Sequence, residues 1–348
     1  MSVSDADMVR AWTHVLTLSN LKPGNTVTLL TSANTHPQTL QTARIAAGMM
    51  GAVVNRLDLP PMNAEFAHSR DSLAYLGTTP LTGNRAAIAA LKESDIVLDL
   101  MTLLFSPEQA EILESGTRIL LAVEPPEVLV RLLPSLEDKA RVAKAAALLS
   151  GTKEMTVTSA AGTELRLPLG EFPAIQEYGF VDEPGRWDHW PSGFGLTFPN
   201  EGKAEGRVVL ERGDILLPMK SYVTERIEMA VEKGYVTSIT GGMDADLLND
   251  YMEVFDDPEA YAVSHIGWGL QKRARWSTLG LYDREGTIGM DARAFAGNFL
   301  FSMGPNNEGG GSRTTACHID IPMRNCTVRL DGREVVREGR LLERESVA

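Results

Sequence analysis

Cysteine is scarce in this sequence: Cys317 and Cys326 are the only two among 348 residues. Two cysteines cannot form a disulfide framework, and their scarcity favours a reducing compartment. Long apolar runs are missing as well, since the stretch Ile96–Phe105 is short and contains Asp99. We therefore expect no membrane span. The first ten residues show no basic segment followed by an apolar run, so we expect no secretory signal and a cytoplasmic protein.

Basic residues are outnumbered. Lysine and arginine number 33 against 46 acidic residues, which makes the formal net charge −13. Nucleic acids and anionic membranes select for basic surfaces, so we expect neither as a partner. The loop Thr31–His36, after the first predicted strand, has no glycine, which excludes a dinucleotide fingerprint and a P-loop. HExxH motifs, zinc-type cysteine clusters and EF-hand loops are also absent from the sequence.

The first 150 residues alternate between predicted strands and helices. Apolar strand patterns occur at four places, Val27–Thr31, Ala52–Leu59, Asp95–Leu104 and Arg118–Val123. Helical patterns occur at residues 36–50, 84–92, 107–115 and 126–149, the last broken at Pro134. This alternation predicts a parallel sheet flanked by helices. We assign residues 1–150 to an α/β, Rossmann-like scaffold domain that holds no nucleotide.

After residue 150 the pattern changes to short strands and hairpins. It predicts a mostly antiparallel α+β domain over residues 151–348, which we expect to bind a metal. One strand is predicted at Tyr222–Val231, and one helix at Ala245–Val254 with Asp244 as its N-cap. The segment Ala262–Leu270 is predicted as a strand because alternate residues share one face.

The stretch Ala316–Pro322 is predicted as a short strand that ends at its proline. Because strand side chains alternate between faces, His318 and Asp320 point to the same side. An imidazole and a carboxylate on one strand supply two of the three ligands of a mononuclear non-haem iron site. A hydrogen-bonded histidine–aspartate pair without metal is the alternative.

The third ligand is not decided by counting histidines. His265 lies in an apolar strand, where an unpaired imidazole would be costly to bury; a hydrogen-bonded core histidine is the alternative. His189 lies in the segment Arg186–Pro191, which contains two tryptophans. That setting suits a group that faces the substrate better than a metal ligand, with a plain surface loop as the alternative.

Four segments of the second half resemble the aminopeptidase T family of metallo-aminopeptidases. They are Pro191–Pro199, Ser264–Gly269, Gly297–Gly311 and Cys317–Asp320. The resemblance also implies a Rossmann-like first domain. This sequence departs from the two-metal site of that family, because Phe194, His265 and Leu300 stand where the peptidases have two glutamates and a histidine.

The ligands that remain are His265, His318 and Asp320, a 2-His-1-carboxylate set that selects ferrous iron with open positions. This altered pattern resembles the 2,5-dihydroxypyridine 5,6-dioxygenase family over essentially the whole chain, including Trp187–Pro191. The resemblance implies an Fe(II) enzyme of nicotinate or nicotine degradation that opens 2,5-dihydroxypyridine with O₂ to N-formylmaleamate. A metallo-aminopeptidase with an altered metal site is the rival hypothesis. We also expect a homo-oligomer. The glycine-rich segment Asn306–Ser312 is interpreted either as a mobile loop that gates a pocket or as a plain surface loop.

Five further residues are candidates for roles in this reaction. We predict His189 as the catalytic base, because an imidazole titrates near the working pH. Arg293 and Ser302 are candidates to orient the oxygens on the ring. Glu177 and Tyr178 are candidates for a bond to the ring nitrogen. Ordinary packing or surface duty is the alternative for each of them.

Overall fold

The computed structural model describes residues 3–60, 79–103, 106–217, 219–282 and 286–342. In chain order its strands are β1 (Thr26–Thr31), β2 (Val53–Asp58), β3 (Ile96–Asp99), β4 (Arg118–Leu121), β5 (Glu154–Ser159), β6 (Glu164–Pro168), β7 (Ile175–Glu177), β8 (Trp187–His189), β9 (Phe194–Thr197), β10 (Glu205–Leu210), β11 (Ile215–Leu216), β12 (Ser221–Tyr222), β13 (Ile227–Glu232), β14 (Tyr235–Gly241), β15 (Val263–Gly269), β16 (Phe299–Met303), β17 (Ile319–Met323), β18 (Cys326–Leu330), β19 (Arg333–Arg337) and β20 (Arg340–Leu341). Its helices are α1 (Asp5–Leu18), α2 (Pro37–Met49), α3 (Arg85–Lys92), α4 (Pro107–Glu114), α5 (Pro126–Arg131), α6 (Leu136–Ser150), α7 (Met243–Glu253), α8 (Thr278–Leu281) and α9 (Met290–Ala294). Within the described residues, no helix combines the length and the apolar composition needed to cross a bilayer.

The first sheet is parallel, with the strand order β2-β1-β3-β4-β8. Helices cover both of its faces. Leu29 and Leu98 pack with α1 and α2 on one face, whereas Leu30 and Val97 pack with α3 and α4 on the other. A sheet buried on both faces has nearly continuous apolar strands. The predicted Rossmann-like sheet is therefore confirmed.

One strand of this sheet is shorter than predicted. β3 ends at Asp99, whose carboxylate accepts hydrogen bonds from the backbone N–H groups of Met101 (3.0 Å) and Leu103 (2.7 Å). These bonds turn the chain out of the sheet before the predicted end of the strand. Leu104, at that predicted end, lies outside the described residues.

The fifth strand of the parallel sheet comes from the second half of the chain. β8 pairs in parallel with β4, with His189 opposite Leu121. The domain boundary near residue 150 stays a prediction, and the chain crosses it to complete the first sheet. His189 consequently lies at the carboxyl edge of the sheet, where open α/β sheets bind their ligands.

The second half forms mostly antiparallel sheets, as predicted. The two larger sheets have the strand orders β14-β13-β10-β6-β5-β18-β19-β20 and β17-β16-β15-β9-β7, and β11 pairs with β12 in a third, two-stranded sheet. β15 confirms the strand predicted at Ala262–Leu270. Gly267 in this strand allows close pairing, since a Cβ atom there would collide with the carbonyl oxygen of Gly195. β17 continues past Pro322, contrary to the prediction. It is an edge strand of its sheet, where a missing N–H group is tolerated.

Two other predictions in this half were wrong. Tyr222–Val231 is not one strand, because β12 ends at Tyr222 and β13 begins at Ile227. Between them, the backbone N–H groups of Thr224 and Glu225 donate to the Asp244 carboxylate, at 2.6 and 2.8 Å. Asp244 therefore bonds to this turn, and Gly242 occupies the N-cap position of α7.

Candidate metal centre

Three buried side chains converge in the five-stranded antiparallel sheet. His265 lies on β15, His318 directly precedes β17, and Asp320 lies on β17. The Nε2 atoms of the two histidines are 3.0 Å apart. Asp320 Oδ1 lies 3.2 Å from Nε2 of His265 and 3.3 Å from Nε2 of His318. The structure thus brings together the three residues that the sequence singled out as ligands.

The geometry of this triad fits a metal ion. Two imidazole nitrogens in hydrogen-bonding contact need a shared proton or a cation between them. Metal–ligand bonds of about 2.1 Å place adjacent corners of an octahedron about 3.0 Å apart, close to the three separations above. Because all three separations are short, the donors occupy one face of such an octahedron and leave the opposite face open. Burial also lowers the pKa of His318 despite the nearby Asp320, which favours the neutral imidazole that metals bind.

Arg293 keeps the carboxylate of the triad ionised. It lies on α9, and its Nε donates to Asp320 Oδ2 at 2.5 Å, while its Nη1 donates to the carbonyl of Ile288. Burial alone would raise the pKa of Asp320. The charges of Arg293 and the two histidines outweigh burial and hold that pKa well below its usual range. Arg293 therefore acts on the ligand Asp320, although its side chain also lines the pocket described below.

Ser302 lies between the ligands rather than in the pocket. It is on β16, the strand between β15 and β17, and it pairs directly with Asp320. Its hydroxyl donates to Asp320 Oδ1 and lies 3.1 Å from Nδ1 of His265. Residues that hydrogen-bond to metal ligands typically fix the orientation of those ligands. The structure does not bring Ser302 to the pocket lining, where it was predicted to orient a ring oxygen.

His189 has a hydrogen-bond partner on each ring nitrogen. Nδ1 lies 2.6 Å from the carbonyl oxygen of Pro191, and Nε2 lies 2.6 Å from Glu177 Oε2. A carbonyl oxygen only accepts, so Nδ1 carries a proton, and the Nε2–carboxylate bond needs another. Burial lowers the pKa of His189, but the charge of Glu177 outweighs burial and raises it overall. The histidine is consequently one half of a proton-sharing pair with Glu177.

The triad and this pair face the same pocket. Its apolar walls are formed by Leu121, Trp187, Phe194, Leu196, Ile288 and Met290. Leu121 ends β4 of the parallel sheet and Phe194 begins β9 of the antiparallel sheet, so both halves of the chain contribute. A largely apolar pocket with a few convergent polar groups suits a small, flat organic ligand.

Comparison with known proteins agrees with this geometry. Residues 7–343 match the family model of 2,5-dihydroxypyridine 5,6-dioxygenase. The chain belongs to this family. A 2,5-dihydroxypyridine 5,6-dioxygenase of Pseudomonas putida KT2440 is 53% identical over 339 residues, which are 97% of each chain. The solved structure of a 2,5-dihydroxypyridine dioxygenase from the same organism superposes with a TM-score of 0.96 over 99% of both chains.

The dioxygenase family shares its fold with an aminopeptidase T. Wild-type AmpT from Thermus thermophilus superposes with a TM-score of 0.63 over 97% of this chain and 99% of its own. The sequence identity is 16%, so the likeness concerns the fold alone. The predicted combination of a Rossmann-like half with an antiparallel half is confirmed at this level.

Not every residue predicted for this dioxygenase site reaches the pocket. Tyr178 does not line it: the Tyr178 hydroxyl donates to Asp182 Oδ1 at 2.7 Å, and the guanidinium of Arg186 stacks on its ring at 3.7 Å. Glu177 does line the pocket, but its Oε2 is bonded to His189. Sequence reasoning missed Glu308, a third glutamate or aspartate side chain in the lining. Its signal was the glycine-rich segment, which we had interpreted only as a gate or a surface loop.

Proposed function

We propose that this protein is an Fe(II)-dependent dioxygenase that converts 2,5-dihydroxypyridine and O₂ into N-formylmaleamate. The bond between ring carbons 5 and 6 breaks, carbon 5 becomes a carboxyl group and carbon 6 a formyl group, and both oxygen atoms are retained. The observation that carries the proposal is the buried face of two imidazoles and one carboxylate that opens onto a mostly apolar pocket. Such a facial set is typical of ferrous oxygenases. The family membership and the activity for which the Pseudomonas putida relative is named support it.

The metal would be held by His265, His318 and Asp320. When bound, ferrous iron supplies the redox chemistry with O₂ that none of these side chains can perform. Arg293 keeps Asp320 in the anionic form that binds a cation. Ser302 holds the same carboxylate and packs against the imidazole of His265. These contacts fix the ligands before the metal arrives, which preserves geometry and affinity.

The pair His189–Glu177 would handle the proton of the substrate's 5-hydroxyl group. Because both ring nitrogens of His189 are engaged, the imidazole cannot accept a proton alone, as a simple base would. We propose instead that the pair acts as one unit: the 5-hydroxyl proton passes to Oε1 of the Glu177 carboxylate, while Oε2 stays hydrogen-bonded to the protonated Nε2 of His189. Loss of the 5-hydroxyl proton makes the ring electron-rich and ready for attack by an oxidant.

Oxygen uptake tests the proposed function directly. Anaerobically prepared protein, loaded with one equivalent of ferrous iron, should consume one O₂ for each 2,5-dihydroxypyridine. Mass spectrometry should find N-formylmaleamate, with both added oxygen atoms labelled when ¹⁸O₂ is used. O₂ uptake that does not increase when 2,5-dihydroxypyridine is added, or a product without the label, would exclude ring cleavage by this protein.

Metal exchange should separate the dioxygenase from the rival peptidase. Activity is expected to fade in air and to return with ferrous iron plus a reductant, because an open ferrous site is exposed to oxidation. Zinc should not restore ring cleavage, since Zn²⁺ has no redox chemistry. The measurement is O₂ uptake after chelation and reloading, with aminopeptidase activity assayed in parallel. Equal recovery with zinc, or peptide hydrolysis by the zinc form, would favour the hydrolase.

A cytoplasmic location and a homo-oligomeric assembly stay predictions.

A further inference from the structure

The glycine-rich segment Asn306–Ser312 is held in place by hydrogen bonds and by packing. The amide oxygen of Asn306 accepts from the backbone N–H of Arg313 at 2.8 Å, and its Nδ2 donates to Glu201 at 2.5 Å. Gly309 packs directly on the ring of Phe198, where a Cβ atom would overlap the ring carbons. Glycine is therefore required for close packing at this position. The short 3₁₀ helix Asn307–Gly309 is held as a wall of the pocket.

Glu308 is the residue through which this wall meets the pocket. Its side chain is partly buried, and among the described residues its carboxyl group has no hydrogen-bond or ion-pair partner. Burial, together with the negative charge of Glu177, raises the pKa of Glu308 to about 8. A cation at the triad would lower this pKa again. In either protonation state, a carboxyl oxygen can accept a hydrogen bond from a ring N–H group.

The other carboxylates of the pocket are already engaged. Glu177 bonds to His189, and Asp320 bonds to Arg293 and Ser302. Glu308 interacts electrostatically with His189 and with His265, so it lies near both the proton-sharing pair and the triad. It is thus the acidic group of the lining that retains its full hydrogen-bonding capacity for a ligand.

The proposed substrate has an edge that matches a carboxyl group. In its 2-pyridone tautomer, 2,5-dihydroxypyridine places a ring N–H donor beside a carbonyl acceptor, as in a cis lactam. A protonated carboxyl group offers an acceptor and a donor side by side, so the two can form a pair of hydrogen bonds. Ring cleavage breaks only the bond between carbons 5 and 6, so it leaves this lactam edge unchanged.

We propose that Glu308 recognises the lactam edge of the substrate and so selects pyridones over carbocyclic diols of the same shape. This inference rests on the proposed function, because it takes 2,5-dihydroxypyridine as the ligand. Glu308 replaces Glu177 and Tyr178 as the partner of the ring nitrogen, since both of those side chains are engaged elsewhere.

Equilibrium binding without turnover tests this role. The dissociation constants of 2,5-dihydroxypyridine and hydroquinone would be measured anaerobically on the Fe(II)-loaded full-length chain. Glu308→Leu should weaken binding of 2,5-dihydroxypyridine about 10- to 100-fold, because buried donors and acceptors on the ligand lose their partners. It should affect hydroquinone far less, so the preference for the pyridone should shrink. Glu308→Gln should stay within a few-fold of wild type, because a carboxamide presents the same donor and acceptor.

Two controls keep the result specific. Asn307→Ala, at the exposed neighbour on the same turn, should bind both ligands like wild type. Wild-type protein should bind 1-methyl-5-hydroxy-2-pyridone at least about 10-fold more weakly, because the methyl group removes the ring N–H; this comparison needs no variant to fold. An unchanged preference for the pyridone in a folded Glu308→Leu variant, or full binding of the N-methyl compound, overturns the proposal. A wild-type protein that binds 2,5-dihydroxypyridine but consumes no O₂ contradicts the dioxygenase alone, and the binding constants still decide the role of Glu308.

Discussion

Replacing His265, His318 or Asp320 with alanine is expected to remove most bound iron and to abolish ring cleavage, while the fold remains intact. The three donor atoms lie 3.0–3.3 Å from one another. A ferrous site with three protein ligands cannot lose one without losing both affinity and geometry. The measurements are metal content by mass spectrometry, O₂ uptake, and circular dichroism to verify folding.

Two control variants are expected to have no effect and a partial effect, respectively, on iron binding and activity. His14→Ala removes an exposed histidine that contacts the carbonyl of Pro134, and should leave iron content and activity unchanged. Ser302→Ala removes a hydroxyl that contacts Asp320 Oδ1 and the ring of His265, and should cost about 10- to 100-fold in metal affinity or activity rather than all of it. A His265→Ala variant with full iron and normal turnover would show that the ligand set is wrong.

Replacing His189 with alanine is expected to slow turnover about 10²- to 10⁴-fold, the range typical for loss of a general acid–base group. Iron content should stay near that of wild type, since neither His189 nor Glu177 belongs to the triad. Anaerobic binding of 2,5-dihydroxypyridine should persist as well. The residual rate should rise with pH, because hydroxide and ionisation of the substrate replace the missing proton acceptor.

Because His189 is paired with Glu177, variants of Glu177 test the same prediction. The 2.6 Å contact between Nε2 and Oε2 indicates one unit, and losses within a unit are not additive. Glu177→Gln should therefore show a similar loss of turnover, and the double variant should be little worse than either single variant. Multiplied losses would mean that the two residues act separately. Normal turnover in His189→Ala would leave the histidine a structural role, and absence of iron would make it a ligand.

The sequence alone determined those features that depend on local pattern. The central strands β1, β3 and β4 of the parallel sheet were predicted because burial on both faces makes them nearly continuously apolar. The period of two along a strand placed His318 and Asp320 on one side of the chain. The segment Val263–Gly269 could be predicted as a strand with a buried histidine for the same reason. In each case the signal lies within a few consecutive residues.

The tertiary structure decided what depends on pairing between distant segments. Only the sheet order, with β16 between β15 and β17, brings His265 within 3.2 Å of Asp320, 55 residues further along the chain. The pairing of β8 with β4 carries His189 to the carboxyl edge of the parallel sheet. Which polar groups remain available to a ligand was equally a tertiary matter. Glu177 is engaged by His189 and Glu308 is not, because hydrogen-bond partners are assigned by packing across the fold and leave no periodic trace in the sequence.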